Sequence, residues 1–351
     1  MPTTAQDFSP GLPVEVGKIE KELKKLWEQN KGATRASLVN LAVYSEAADS
    51  LPANTKLVSE LTENLACRAI VIAADPSPKE NRVEAWISAH CHISRAGSKQ
   101  ICSEQLSFRL QGPCTNLLPS IVFSQLDSDL PFYLWWQGQF HNPIDPQLWA
   151  WVDRLIYDSQ TWQDFTSQLQ LLEAAQREAR ERVVLCDLNW TRLDKIRLAL
   201  AQFFDHPTSH RHFSAIERGE IRFAPGFRST ALLLAGWLAA QLHWQVEGRE
   251  NAGQLRFVSA QGGKISMTLK EQAGEPISQI TLVSTGIEFE VAHAPGADLL
   301  EVSRGKCGEP RAHQVMPAGS TELVRLMGDE LMRGGAHKVY LRAIHCVRML
   351  L

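Results

Sequence analysis

Apolar residues recur every three or four positions at Val16, Ile19, Leu23, Leu26 and Trp27, with lysines and glutamates between them. That spacing predicts an amphipathic helix. Two near-continuous apolar runs follow, Ser37 to Tyr44 and Cys67 to Ala73, separated by helical spacing through Leu57, Leu61 and Leu65. Runs of this kind suit strands buried on both faces of a sheet, and the helix between them serves as the crossover that parallel strands need.

From Val83 to Ile93 the apolar residues fall on odd numbers, and from Cys102 to Leu110 on even ones. Folding the two runs about Arg95 to Ser98 pairs residues whose numbers sum to 193, which sets Ile87 opposite Leu106, Ala85 opposite Phe108 and Cys91 opposite Cys102 on one face. Cys91 and Cys102 are therefore a candidate redox pair, and the register leaves both a disulfide and two packed thiols open. The same register puts Glu104 on the apolar face, where a carboxylate needs a cationic or hydrogen-bonding partner. It is the best candidate for a raised pKa. Beyond it the pattern predicts a helix from Thr115 to Leu126 and strands at Pro131 to Trp136 and Trp151 to Tyr157. Thr161 to Asp164 has the spacing of a capping box that opens a helix to about Glu181.

A helical stretch from Trp190 to Phe204 and a His- and Arg-rich loop open the second half. The apolar helix Ala231 to Leu242 comes next. Short alternating runs at Leu255 to Val258, Ile265 to Leu269, Ile280 to Val283 and Ile287 to Val291 then read as an antiparallel meander. Helical spacing returns over Ser320 to Arg333, and Val339 to Leu351 closes the chain as a helix. The expected fold class is α/β and α+β. A flexible tail (1–14) precedes a layered α/β domain with a mixed sheet (15–186) and an α+β domain with an antiparallel sheet (187–351).

Composition narrows the partners. The 351 residues carry 36 Lys plus Arg against 39 Asp plus Glu, so no global field favours nucleic acid or a membrane surface. Met1 to Val14 lacks the basic and apolar regions of a signal peptide, and the apolar run at 231–242 is short of a membrane span. Seven dispersed cysteines with no Cys-x-x-Cys pair favour a reducing cytoplasm.

Chemistry is sparse. No Gly-x-Gly-x-x-Gly occurs, and Gln261 to Lys264 fails as a P-loop because Val258 and Ile265 stand where a glycine and a hydroxyl belong. A Gly-Gly hairpin turn accounts for it. His90 and His92 share a strand face but supply only two of the three or four ligands zinc requires, and a solvated face is the default. His206, His210 and His212 enclose Pro207 and read as an exposed loop. Asp129, Asp153 and Asp158 suit caps and turns, and no nucleophile sits in a recognisable elbow. No catalytic, cofactor-binding or metal residue is assigned. Ten tryptophans are many, with Trp135, Trp136, Trp149, Trp151, Trp162 and Trp190 near the middle. Trp135 and Trp136 point to opposite faces, so either both faces of that sheet are covered or one ring is available to a partner.

The stretches Arg35 to Leu41, Cys67 to Ile72, Ser103 to Gln105, Asp129 to Pro131 leading into Leu134 to Trp136, Leu155 to Ser159, Asp187 to Leu193 and Leu234 to Leu238 follow one another in a specific order and spacing. In these the chain resembles the glucose-6-phosphate dehydrogenase assembly protein family, OpcA. It departs at Ile196, where the family pattern has tryptophan. The resemblance implies a cytoplasmic, non-catalytic protein that binds glucose-6-phosphate dehydrogenase and promotes its active oligomer in the oxidative pentose phosphate pathway. It implies no cofactor. The candidates for partner binding or for the domain junction are Trp135, Trp136, Asp187, Asn189, Trp190 and Arg192. A different class of function, a small-ligand sensor or enzyme at a strand-end crevice of the α/β domain, is the alternative.

Overall fold

A computed structural model of the chain describes residues 9–29, 33–93, 100–141, 149–178, 182–205, 212, 214–306 and 308–351. The chain divides into two compact units. One comprises Met1–Asp158, Gln170–Cys186 and Leu323–Gly335, the other Ser159–Leu169, Asp187–Glu322 and Ala336–Leu351. A single cut at residue 187 is thereby modified. The helix Leu323–Met332 joins the first unit because it packs on the helix Leu51–Thr62.

The first unit is built on a nine-stranded sheet: β1 (Leu12–Val14), β2 (Ala33–Arg35), β3 (Asn40–Ser45), β4 (Arg68–Asp75), β5 (Arg82–Ile93), β6 (Gln100–Gln111), β7 (Phe132–Gln137), β8 (Arg154–Tyr157) and β9 (Val184–Asp187). β3 is buried along its whole length and β4 along all but its last residue, as continuous apolar runs require. β6, β4, β3, β7 and β8 are successive parallel neighbours. Their order reverses between β3 and β7, as it does at the switch point of a doubly wound fold. β5 closes antiparallel on β6 with Ile87 opposite Leu106, Ala85 opposite Phe108 and Cys91 opposite Cys102, the register expected from parity. Its turn, 94–99, lies outside the described residues. Leu12–Val14, the end of the expected tail, instead pairs antiparallel with Ala85 to Ile87, supplying β5 with a second neighbour.

Boundaries moved where local chemistry outweighed periodicity. The helix expected at 115–126 is a 3-10 segment, Gly112–Leu117, followed by a short α-helix, Leu118–Phe123. The helix expected to open at Thr161 runs over Phe165–Glu178. Asp164 caps it, accepting a hydrogen bond from the Ser167 amide at 3.0 Å. A bond from the Ser167 hydroxyl, and then this amide bond, hold the Asp164 carboxyl below its usual range.

The second unit carries an eight-stranded sheet: β10 (Ile216–Phe223), β11 (Gln245–Val246), β12 (Gln254–Val258), β13 (Lys264–Glu271), β14 (Ile277–Ser284), β15 (Ile287–His293), β16 (Leu299–Lys306) and β17 (Ala312–Pro317). β12–β13 and β14–β15 form the expected antiparallel pairs and β16 and β17 extend them, but β13 and β14 are not neighbours: β10 lies between them and runs parallel to β13. The sheet is therefore mixed. β10 escapes sequence reading because Glu217, Arg218, Glu220 and Arg222 dilute its alternation. The Gly-Gly segment at 262–263 does form the β12–β13 turn, with the Ser259 side chain accepting from the Gly263 amide.

Candidate functional site

Three of the sequence stretches singled out above converge at one place in the first unit. Glu104, on β6, has no exposed surface. Its register partner across β5 is Ala89, which offers it nothing polar. Compensation comes from elsewhere. Arg68, the first residue of β4, reaches its Oε2 at 3.0 Å, and Arg35, the last residue of β2, bonds both oxygens at 2.9 Å. Trp27, on the helix Ile19–Gln29, donates its indole N–H to Oε1. Each carboxylate oxygen thus receives two donors, which is what a buried charge needs. Arg68 is held at all three of its nitrogens: besides the Glu104 bond, Nε donates to the Gln125 carbonyl at 2.7 Å and Nη2 to Glu20 at 3.0 Å.

Above this cluster lies an open cleft of about 800 Å³, lined by Glu20, Lys21, Leu23, Lys24, Trp27, Ala33, Arg35 and Glu104. The strand register picks out Glu104 and its need for a cationic or hydrogen-bonding partner. It does not show which cations answer, because Arg35 and Arg68 lie 69 and 36 residues away.

The crevice at the switch point is built differently. Between Ser45 and Leu51, where β3 passes into its helix, there is no glycine, and Glu46 and Asp49 stand in the turn. Glu46 accepts from the Tyr44 hydroxyl at 3.1 Å and pairs with His141 at 2.8 Å. Burial, reinforced by that carboxylate, pushes the Tyr44 phenol well above its ordinary range, so it stays a neutral donor. Across the crevice Asn54 and Gln137 exchange two amide hydrogen bonds, at 2.8 and 3.0 Å. The side chains here satisfy one another, and the carboxylates repel a pyrophosphate.

The expected partner-binding residues lie in separate settings. Trp135 is buried, whereas Trp136 is half-buried against Tyr44, with ring centroids 4.2 Å apart, and donates its N–H to the Gln139 carbonyl. Trp149, Trp162 and Trp190 are buried, and Trp151 is exposed beside Phe123. Asp187 is fully buried in the second unit. It accepts from the Ser159 amide and hydroxyl, the Asn189 amide and the Tyr340 hydroxyl, at 2.6 to 3.0 Å. Asn189 extends the network to Ser229 and Thr230. Trp190 packs on Tyr340 on one side and under the Arg197 guanidinium on another. Arg192 is half-buried, and Ile196 is buried.

Cys91 and Cys102 form a disulfide. Of the histidines, His90 bonds Gln105 at 2.8 Å and burial lowers its pKa, while His92 bonds Thr62 at 3.1 Å. His206 and His210 lie outside the described residues. His212 is buried, not part of an exposed loop, because its ring meets Thr285 and Phe289 and its carbonyl accepts from Ser284. Asp153 accepts from the Phe132 amide at 2.8 Å, tying β7 to the residue before β8. No helix among the described residues is long and apolar enough to cross a membrane.

Among protein families, residues 58–174 match the N-terminal domain of the glucose-6-phosphate dehydrogenase subunit, and residues 183–344 match the C-terminal domain of the same protein, both of OpcA type. An OxPP cycle protein OpcA of Synechocystis sp. is 26% identical over 182 residues, which are 51% of this chain and 37% of that protein. The match thus spans little over a third of the relative. Solved structures overlap more loosely. A levoglucosan dehydrogenase, in complex with NADH and L-sorbose, is 10% identical with a TM-score of 0.42 and 89% of each chain covered. A Clostridium difficile dehydrogenase is 9% identical with a TM-score of 0.45, covering 88% of this chain and 97% of its own. Overlaps of that size fix neither fold nor reaction.

Proposed function

The chain belongs to the OpcA family of glucose-6-phosphate dehydrogenase subunits, and from that membership we propose that it is a non-catalytic assembly factor of the cytoplasm that binds glucose-6-phosphate dehydrogenase and promotes its active oligomer. The observation that carries the reading is the pair of family matches, N-terminal domain before C-terminal domain, which together take in most of the chain. The switch-point crevice supports the non-catalytic part. A dinucleotide site requires close backbone approach at a glycine-rich turn and a phosphate-accepting helix start, whereas this turn has no glycine and two carboxylates.

An activator of this kind works by linkage: it shifts the dehydrogenase toward one state only if it binds that state more tightly. The test is to titrate the pure chain into glucose-6-phosphate dehydrogenase at fixed glucose 6-phosphate and NADP. Activity is expected to rise with added chain while the two proteins co-elute on a sizing column. Turnover by the chain alone, or unchanged dehydrogenase behaviour at saturation, overturns the proposal.

A further inference from the structure

The cleft above Glu104 carries a charge imbalance that the fold leaves unanswered. Lys21, Lys24 and Arg35 line it with two carboxylates, Glu20 and Glu104, and the buried Arg68 behind the lining pairs with both carboxylates. Glu104 is saturated by Trp27, Arg35 and Arg68, and Glu20 is paired with Arg68. Neither lysine has a carboxylate within salt-bridge reach among the described residues. They stand three apart on one helix, so their ammonium groups repel each other on the same face. A positive excess of two charges thus rims a concave site of ligand size.

The rest of the lining is apolar. Leu23, Ala33 and Trp27 supply it, and the indole is held by its N–H bond to the buried carboxylate, so the ring is pre-positioned. A dianion carrying a small polar ring fits both halves: the phosphate meets the lysines and Arg35, and the ring lies over the half-buried Trp27. A phosphate monoester carries about −1.5 to −2 charge at neutral pH, the same magnitude as the excess. We propose that this cleft binds a phosphate monoester of a sugar-sized metabolite. The site lies at the N-terminal ends of β3 and β4, away from the switch-point crevice.

Isothermal titration of the isolated full-length chain with glucose 6-phosphate, glucose and inorganic phosphate tests this without the dehydrogenase, so its failure and that of the assembly reading are distinguishable. Saturable binding is expected for glucose 6-phosphate, weaker binding for inorganic phosphate and none for glucose. The double variant Lys21→Gln/Lys24→Gln should bind glucose 6-phosphate about 100-fold more weakly, roughly tenfold for each charge-assisted hydrogen bond removed. Its melting temperature should match the parent's, because both side chains are exposed. No saturable binding of the ester, equal affinity for inorganic phosphate, or an unchanged affinity in the double variant would each overturn the proposal.

Discussion

Glu104 shows how one side chain can be both a folding determinant and the floor of a site. Its carboxylate is entirely out of water, and the Arg68 side chain keeps only 7% of its surface. Removing Glu104 takes away the buried partner of Arg68, leaves that guanidinium only the exposed Glu20 as a counter-charge and strands the Trp27 N–H, a loss of about 3 to 5 kcal/mol. Glu104→Ala should therefore lose that much stability in urea unfolding. Arg35 is 49% exposed, and water screens its contact with the same carboxylate. Arg35→Ala should cost about 1 kcal/mol or less. Equal losses from the two variants would show that the buried pair is not the anchor.

Elements are held by contacts that periodicity does not reveal. The helix Arg228–Gln241 is buried along most of its length, and Gly236 is where the helix Lys338–Leu350 crosses it. A Cβ on Gly236 would stand 2.5 Å from Val347 Cγ2 and 2.7 Å from the Ala343 carbonyl oxygen. Alanine adds up to about 1 kcal/mol of helix propensity. Overpacking against backbone costs about 1 to 3 kcal/mol, and a carbonyl cannot rotate away. Gly236→Ala should lower the melting temperature, and a rise would place the helices farther apart. In the β5–β6 hairpin the disulfide closes a loop of 11 residues' separation. The Cys91→Ala/Cys102→Ala double variant should lose about 2 to 3 kcal/mol from unfolded-state entropy. Redox control through this pair is a separate proposal. Thiol counting by mass spectrometry across mild oxidation, beside the dehydrogenase assay, decides it: Cys91→Ser and Cys102→Ser variants that respond to oxidant as the parent does reduce the pair to packing.

At the scale of the whole molecule the question is which residues of the Asp187 to Leu193 stretch can face a partner. Asp187, Asn189 and Trp190 are committed to internal bonds and packing, so Asp187→Ala should lower stability and dehydrogenase binding together, by about 2 to 4 kcal/mol in stability. Arg192 keeps surface of its own. If it contributes to docking, Arg192→Ala should weaken dehydrogenase binding with little change in melting temperature. A matched loss of both marks it as structural.

What the residues alone determined is what depends on near neighbours in the chain. Parity of apolar positions set the β5–β6 register and the facing of Cys91 and Cys102, because a slip of one residue would turn every side chain to the wrong face. Continuous apolar runs identified β3 and β4 as doubly covered, because a strand with apolar side chains on both faces must bury both. The stretches around Arg35, Arg68 and Glu104 were each legible, yet their convergence was not. It depends on β2, β4 and β6 being brought side by side, and strand order is a property of the assembled sheet rather than of any segment. Nor could the insertion of β10 between β13 and β14 be read locally, since its charged residues suit a loop as well as a strand. Only the tertiary structure decided which carboxylate is neutralised and which lysines are left over, because burial and ion pairing depend on what crosses overhead, not on what comes next in the chain.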